Sequence, residues 1–197
     1  MKIAAIIPVK TFSNAKTRLQ LPTEKVEKLC KIMLEEILQV LSASTKIEKI
    51  ILITKEQKAI EIAKKFNAII IIDEKEEGVN QAVSLADEYL LENNFNTSIV
   101  FPQDIPYIKI EDIDFMLKYQ MHPNFVIIRM PIDLMKTHYD DDSYRNHMIT
   151  AKEHTLNVGM VFVKRIMLDV DNQEDLEFLL EQNEKPDLVE KIKKILN

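Results

Sequence analysis

Residues 6–19 read IIPVKTFSNAKTRL. They complete an unbroken apolar run, Ile3–Val9, and pass at once into a loop that carries Lys10, Lys16 and Arg18. A short continuous apolar run of this kind is a strand buried on both faces, as in a mostly parallel sheet. Working outward, similar runs occur at Ile50–Thr54, Ala68–Ile72, Ser98–Phe101, Phe125–Met130 and Val158–Val163. Amphipathic helical patterns separate them, near 23–42, 55–66, 79–93, 110–120, 143–154 and 172–182, with a last one near 186–196. Strand and helix in alternation predict α/β architecture: one three-layer α/β/α domain over 1–197. Pro22 and Thr23 mark the start of the first helix. Thr54-Lys55-Glu56-Gln57 reads as a capping box for the second, and Asn172 as the cap of the sixth.

The bulk composition narrows the function. With 32 carboxylates against 26 Lys plus Arg, the chain lacks the basic surface that nucleic-acid binding requires. An anionic small substrate then needs a local cluster of cations or bound metal. The lone Cys30 excludes an internal disulfide, and its spacing from Val26, Leu29 and Met33 places it in the core. The first apolar run is too short for a signal peptide or a membrane span, so a cytoplasmic protein without a membrane partner is expected. Only two glycines are present, and neither a Walker loop nor a GxGxxG fingerprint occurs. The four histidines show no i, i+4 pair, which argues against zinc.

Three constellations bear chemistry. Ligands of open α/β sheets sit beyond the carboxyl ends of the strands, where Lys10, Lys16 and Arg18 follow the first strand. Three cations there suit a triphosphate, although a solvated basic loop has the same composition. Asp104, in Phe101-Pro102-Gln103-Asp104-Ile105-Pro106, follows another buried strand and is placed to hold Mg²⁺, or simply forms a turn. In Leu168-Asp169-Val170-Asp171 an extended backbone points Asp169 and Asp171 the same way. The bland alternative is a helix start decorated with acids. Asn80, opening the third helix, suits a nucleotide contact or a cap. Ser143, Arg145 and His147 open the fifth helix and suit a phosphate or a plain surface. Asp140, Asp141 and Asp142 before them read as a solvated acidic loop.

In order along the chain, PVKTFSNAKTRL, EGVNQAV (77–83), FPQDIPYI (101–108), SYRNH (143–147) and LDVDNQEDL (168–176) resemble one family. It is the 2-phospho-L-lactate or phosphoenolpyruvate guanylyltransferases of coenzyme F-420 biosynthesis. The resemblance implies a GT-A-like nucleotidyltransferase fold. It also implies transfer of GMP from GTP to the phosphate of either acid, with release of pyrophosphate. Carried over by motif, Lys10, Lys16 and Arg18 hold the triphosphate, with Asn80 on the nucleotide side. Asp104, Asp169 and Asp171 bind Mg²⁺, and Ser143, His147 and Asn124 face the acceptor. Two segments depart from the family pattern. A glycine-rich GGGTN-type stretch is replaced by Tyr119–Asn124, and glycines before the SxxxH-type segment are replaced by Asp140–Asp142. The departures keep two alternatives in view: a related nucleotidyltransferase with another phosphorylated acceptor, and a nucleotide-binding paralogue without catalysis. The apolar stripe of Leu188–Leu196 fits either the sheet or a second subunit, as in a homodimer.

Overall fold

The computed structural model describes residues 2–119, 122–123, 126–139 and 142–196. Strand β1 (Ile3–Pro8) is the central strand of a five-stranded sheet. The others are β2 (Lys49–Ile53), β3 (Ile69–Ile71), β4 (Thr97–Val100) and β6 (Ile127–Arg129), in the order β3-β2-β1-β4-β6. All pairs are parallel except β4 with β6, whose register sets Ile99 opposite Ile128. A separate two-stranded parallel sheet joins β5 (His122–Pro123) to β7 (Met160–Val161). Of the strand expected over 158–163 only Met160–Val161 is paired. Its partner is β5, and the chain then bends into a turn, Ile166 N donating to Val163 O, that sends Val163 and Ile166 into the core.

The helices are α1 (Thr23–Ala43), α2 (Gln57–Lys64), α3 (Val79–Glu92), α4 (Ile110–Tyr119), α5 (Ser143–His154), α6 (Gln173–Glu181) and α7 (Pro186–Leu196). The two-residue period of β1 decides the layers. Ile3, Ala5 and Ile7 pack with buried residues of α1, α2, α4, α6 and α7. Ala4 and Ile6 pack with Ala82, Val83, Ala86 and Leu90 of α3. Helix α1 buries Val26, Leu29, Cys30, Met33, Leu34, Ile37, Leu38 and Leu41, a stripe at helical spacing. Each such aliphatic side chain stabilises the fold by about 1.5–3 kcal/mol. Burial, first among its causes, pushes the Cys30 thiol up to about 11, as befits an unreactive core cysteine. The stripe of α7 is used within the chain, for Leu188, Val189 and Ile192 are buried and the helix packs on α1.

Two caps can be compared with expectation. Asn172 and Asp175 form the full reciprocal capping box of α6. Helix α2 begins later than expected, because Thr54 prolongs β2, its N–H bonding Ile71 O. Glu56 is therefore the cap, accepting from Lys58 N at 3.1 Å, while Thr54 Oγ1 accepts from Glu56 N at 3.0 Å.

The strand order fixes where a site can form. From β1 the chain moves one way to β2 and β3, then crosses to β4 on the other side. The carboxyl ends of β1 and β4 thus flank a topological switch point, where open α/β sheets bind ligands. At the far side of β4, Arg129 is 1% exposed. It grips Asp87 of α3 with two bonds of 2.6 and 2.5 Å and reaches Ser98 Oγ at 3.0 Å. A longer contact, 3.4 Å, runs to Met135 O.

Candidate active site

Leaving β1, the chain forms a short 3-10 turn, Phe12–Asn14, whose Phe12 is buried and anchors the loop. Lys16 then adopts a left-handed backbone, φ 53°, uncommon for a side chain with a Cβ. That turn sends its ammonium inward, and the side chain is only 8% exposed. Lys16 Nζ bonds Asp104, in the turn that follows β4, and Asp171 Oδ1 at 2.6 Å. Burial works downward on the Lys16 pKa, but the two carboxylates outweigh it and the net shift is upward.

Backbone contacts bring the third aspartate segment in. Val170 N donates to Asp104 O at 3.1 Å, and Arg18 pairs with Asn172 in an isolated parallel bridge. Val170 is fully buried, so Asp169 and Asp171 stand on either side of a core anchor and share the opposite direction. Burial, and then repulsion from Asp104 and Asp171, pushes the Asp169 carboxyl up to about 6. Three carboxylates are thus crowded around one ammonium.

This donor set suits a hard divalent cation. Asp104 Oδ1 is buried and accepts no hydrogen bond among the described residues. Carboxylate oxygens are the ligands Mg²⁺ takes, and positive charge is what the crowding lacks. Among the described residues no three such groups already stand in ligating arrangement.

The crowding has a measurable consequence. Asp169 has a folded pKa above its unfolded value, so its contribution to stability is complete below about pH 4 and lost as pH rises through about 6. Asp169→Asn, melted in chelator, is therefore expected to be more stable than the parent near pH 7.5, by about 1–3 kcal/mol. The gain should disappear in melts at pH 4; an equal gain at both values would refute carboxylate crowding.

Beside this cluster lies a cleft of about 270 Å³, with Pro8, Val9, Lys10, Gly78, Val79, Pro102 and Gln103 among its lining residues. Lys10 is exposed at its edge, and the Arg18 side chain is exposed next to the Asp171 segment. The Thr11 and Phe12 amides are occupied within the chain. Thr11 N and Oγ1 bond Glu76 Oε1 at 2.6 and 2.8 Å, and Phe12 N bonds Glu56 Oε2 at 3.1 Å. Burial works upward on the Glu76 carboxyl, but these bonds and Lys55 outweigh it and its pKa is lowered.

The remaining expected residues lie on the far wall. Asn80 Oδ1 accepts from Tyr139 N at 2.8 Å, so it holds the segment that carries Tyr139 into the cleft. His147 Nε2 accepts from His138 N at 2.6 Å, and its ring meets those of His138 and Tyr139 edge-on. Ser143 is half-buried at the first turn of α5. Asp142, with φ 56°, is the residue before that helix. Asn124, Asp140 and Asp141 fall outside the described residues. The structure thus unites Lys16, Asp104, Asp169 and Asp171, and assigns Asn80 and His147 to holding Tyr139. Asp73, Glu76, Gln103 and Tyr139 also line the cleft, and none of the three sequence constellations includes them as a candidate. Asp73 carried the same signal as Asp104, a carboxylate directly after an apolar strand.

Known proteins resemble this chain along most of its length. The family model described as "Guanylyl transferase CofC like" matches residues 3–195. A 2-phospho-L-lactate guanylyltransferase of Methanobrevibacter smithii is 30% identical over 186 residues, 88% of this chain and 82% of that one. A phosphoenolpyruvate guanylyltransferase of Conexibacter woesei is 28% identical over 197 residues, covering 92% and 88% respectively. A solved structure, titled a putative nucleotide-diphospho-sugar transferase from Desulfovibrio desulfuricans, superposes with a TM-score of 0.74 at 15% identity. It covers 99% of this chain and 97% of that one, and shows that the fold is shared.

Proposed function

The chain belongs to the CofC-like guanylyl transferase family, and from that premise we propose that it moves GMP from GTP to the phosphate of 2-phospho-L-lactate or phosphoenolpyruvate. The observation that carries the reading is the convergence of Lys16, Asp104, Asp169 and Asp171, from three distant segments, at the switch point between β1 and β4. An acceptor phosphate oxygen attacks the α-phosphorus of GTP, the bond to the β-phosphate bridging oxygen breaks, and pyrophosphate leaves. A phosphate monoester has a second pKa near 6 and is already a competent nucleophile at neutral pH, so the site needs no general base. Its task is alignment and neutralisation of anions.

Asp104, Asp169 and Asp171 would hold Mg²⁺, which when bound supplies the positive charge that the triphosphate needs. Lys16 lies among those carboxylates and is the cation nearest the reacting groups. Lys10 and Arg18, both exposed, extend the positive charge along the first loop. Ser143 and the start of α5 face the acceptor. The protein acts in the cytoplasm, in deazaflavin coenzyme biosynthesis.

The test is pyrophosphate release from purified protein with GTP, Mg²⁺ and each acid. Release that requires both acceptor and Mg²⁺ supports the reading. Nucleotide binding with no release would leave the non-catalytic paralogue. One observation favours a second reading, a different small phosphorylated acid: Asp142 places a side chain in left-handed backbone directly before α5, where close backbone approach would favour glycine. Release confined to such an acid would select it.

A further inference from the structure

We propose that the cleft beside Lys10 is a guanine-reading subsite in which Asp73 discriminates the base, with Gln103 as a second acceptor; this rests on the nucleotidyltransferase reading above. The cleft, about 270 Å³, is large enough for a base and is walled by Pro8, Val9, Val79 and Pro102. It opens at Lys10, toward the cationic loop and the aspartates, so a nucleotide with its base inside would direct its phosphates to Lys16.

The polar atoms left unpaired in the wall determine which base fits. Asp73 is 6% exposed and Gln103 8%, and both line the cleft. Asp73 Oδ1 accepts from Glu76 N at 3.0 Å, which fixes the carboxylate at the cleft wall. Gln103 Oε1 is buried with no partner among the described residues. The Tyr139 hydroxyl, also buried and without a partner among the described residues, can donate as well as accept. Buried polar atoms are normally satisfied, so this wall is built for a ligand edge rich in N–H donors that also carries an acceptor. Guanine presents such an edge: N1–H and the exocyclic amine beside O6. Adenine and cytosine present a ring lone pair where guanine has N1–H, and would set it against the Asp73 carboxylate. Uracil offers a single ring N–H and lacks the adjacent amine.

Asn80, whose motif suggests a nucleotide contact, holds Tyr139 N with its Oδ1. Asp73 and Gln103 each follow a strand, β3 and β4, so rigid elements set the spacing of the two acceptors.

The experiment uses the full-length protein with Mg²⁺ and acceptor, and reads pyrophosphate release with GTP, ITP, N1-methyl-GTP and ATP. Nucleotide-induced thermal shifts run in parallel. In the wild type, ITP lacks the amine and N1-methyl-GTP lacks the ring donor. Each is expected to lose about 10- to 100-fold against GTP, the size of a well-formed bidentate contact. Asp73→Asn keeps the bond from Glu76 N and introduces an amide donor. It is expected to narrow the GTP-to-ATP ratio by a similar factor while the unliganded melt stays put. Equal use of the four nucleotides by the wild type overturns the proposal. So does an Asp73→Asn protein that is slower but keeps the parent's nucleotide ratios, since that marks a merely structural carboxylate. Should the variant not fold, the wild-type panel alone decides. If no nucleotide supports pyrophosphate release, the transferase reading fails, and the thermal-shift order of the four nucleotides still accepts or rejects base selection.

Discussion

Asp104→Asn is expected to lower pyrophosphate release by about a thousandfold or more while leaving the melting temperature within a few degrees of the parent. The size follows from what the carboxylate does: a divalent cation at developing phosphate charge contributes several kcal/mol, and about 1.4 kcal/mol is tenfold in rate. The insensitivity of the fold has a structural reason. Asparagine keeps the shape and one acceptor for Lys16 Nζ, which retains Asp171 Oδ1 at 2.6 Å. Removing one of the crowded carboxylates also relieves Asp169, whose carboxyl Asp104 helps push up to about 6. The backbone bond from Val170 N to Asp104 O, 3.1 Å, does not depend on the side chain. The measurement is a steady-state assay at saturating GTP and acceptor beside a thermal melt. A variant with undiminished turnover would remove Asp104 from the metal site. One that is equally inactive but melts far lower would show that the residue supports the fold.

How much of this was legible in the sequence depended on whether a feature was local. The strand runs and the Asn172 cap are local patterns, and the sheet and α6 follow them. Asp169 and Asp171 could be paired from the two-residue period alone, and the structure adds only the burial of Val170 that enforces it. What could not be read is who answers whom across the fold. In the first loop the Thr11 and Phe12 amides are answered from far along the chain. They are bonded to Glu76 and Glu56, 65 and 44 residues away. Asn80 and His147 sit in motifs that suggest ligand contacts, and in the fold they also position Tyr139 and His138. Chain direction was equally hidden: the run at 125–130 gives no sign that β6 lies antiparallel to β4. The glycine shortage finds a partial answer in the backbone, since Lys16, Glu76 and Asp142 take up positive φ near the site. Side chains thus stand in turns where glycine would cost less strain.

Arg129→Ala should lower stability by about 3–5 kcal/mol, because it leaves the half-buried Asp87 carboxylate without its partner. For a chain of this size that corresponds to a drop in melting temperature of about 10 °C or more. The guanidinium is 1% exposed and makes two short bonds to Asp87, and it also holds Ser98 Oγ on β4. Its reach to Met135 O ties down the segment leading to Tyr139. Burial, the largest influence on Asp87, raises its pKa even against the guanidinium beside it, so desolvation of the carboxylate outweighs that attraction. Two outcomes follow. Arg129→Met combined with Asp87→Leu should recover most of the loss, since it removes both charges and fills the space with apolar atoms. The deficit of Arg129→Ala should also shrink as pH falls toward about 4, because the stranded carboxyl takes up a proton in the folded state at a higher pH than in the unfolded chain. Denaturant melts of the parent, Arg129→Ala and the double variant at pH 7.5 and 4.5 measure both effects. A deficit equal at the two pH values, unrelieved in the double variant, would mean that Arg129 stabilises through packing alone and that the buried charge pair is incidental.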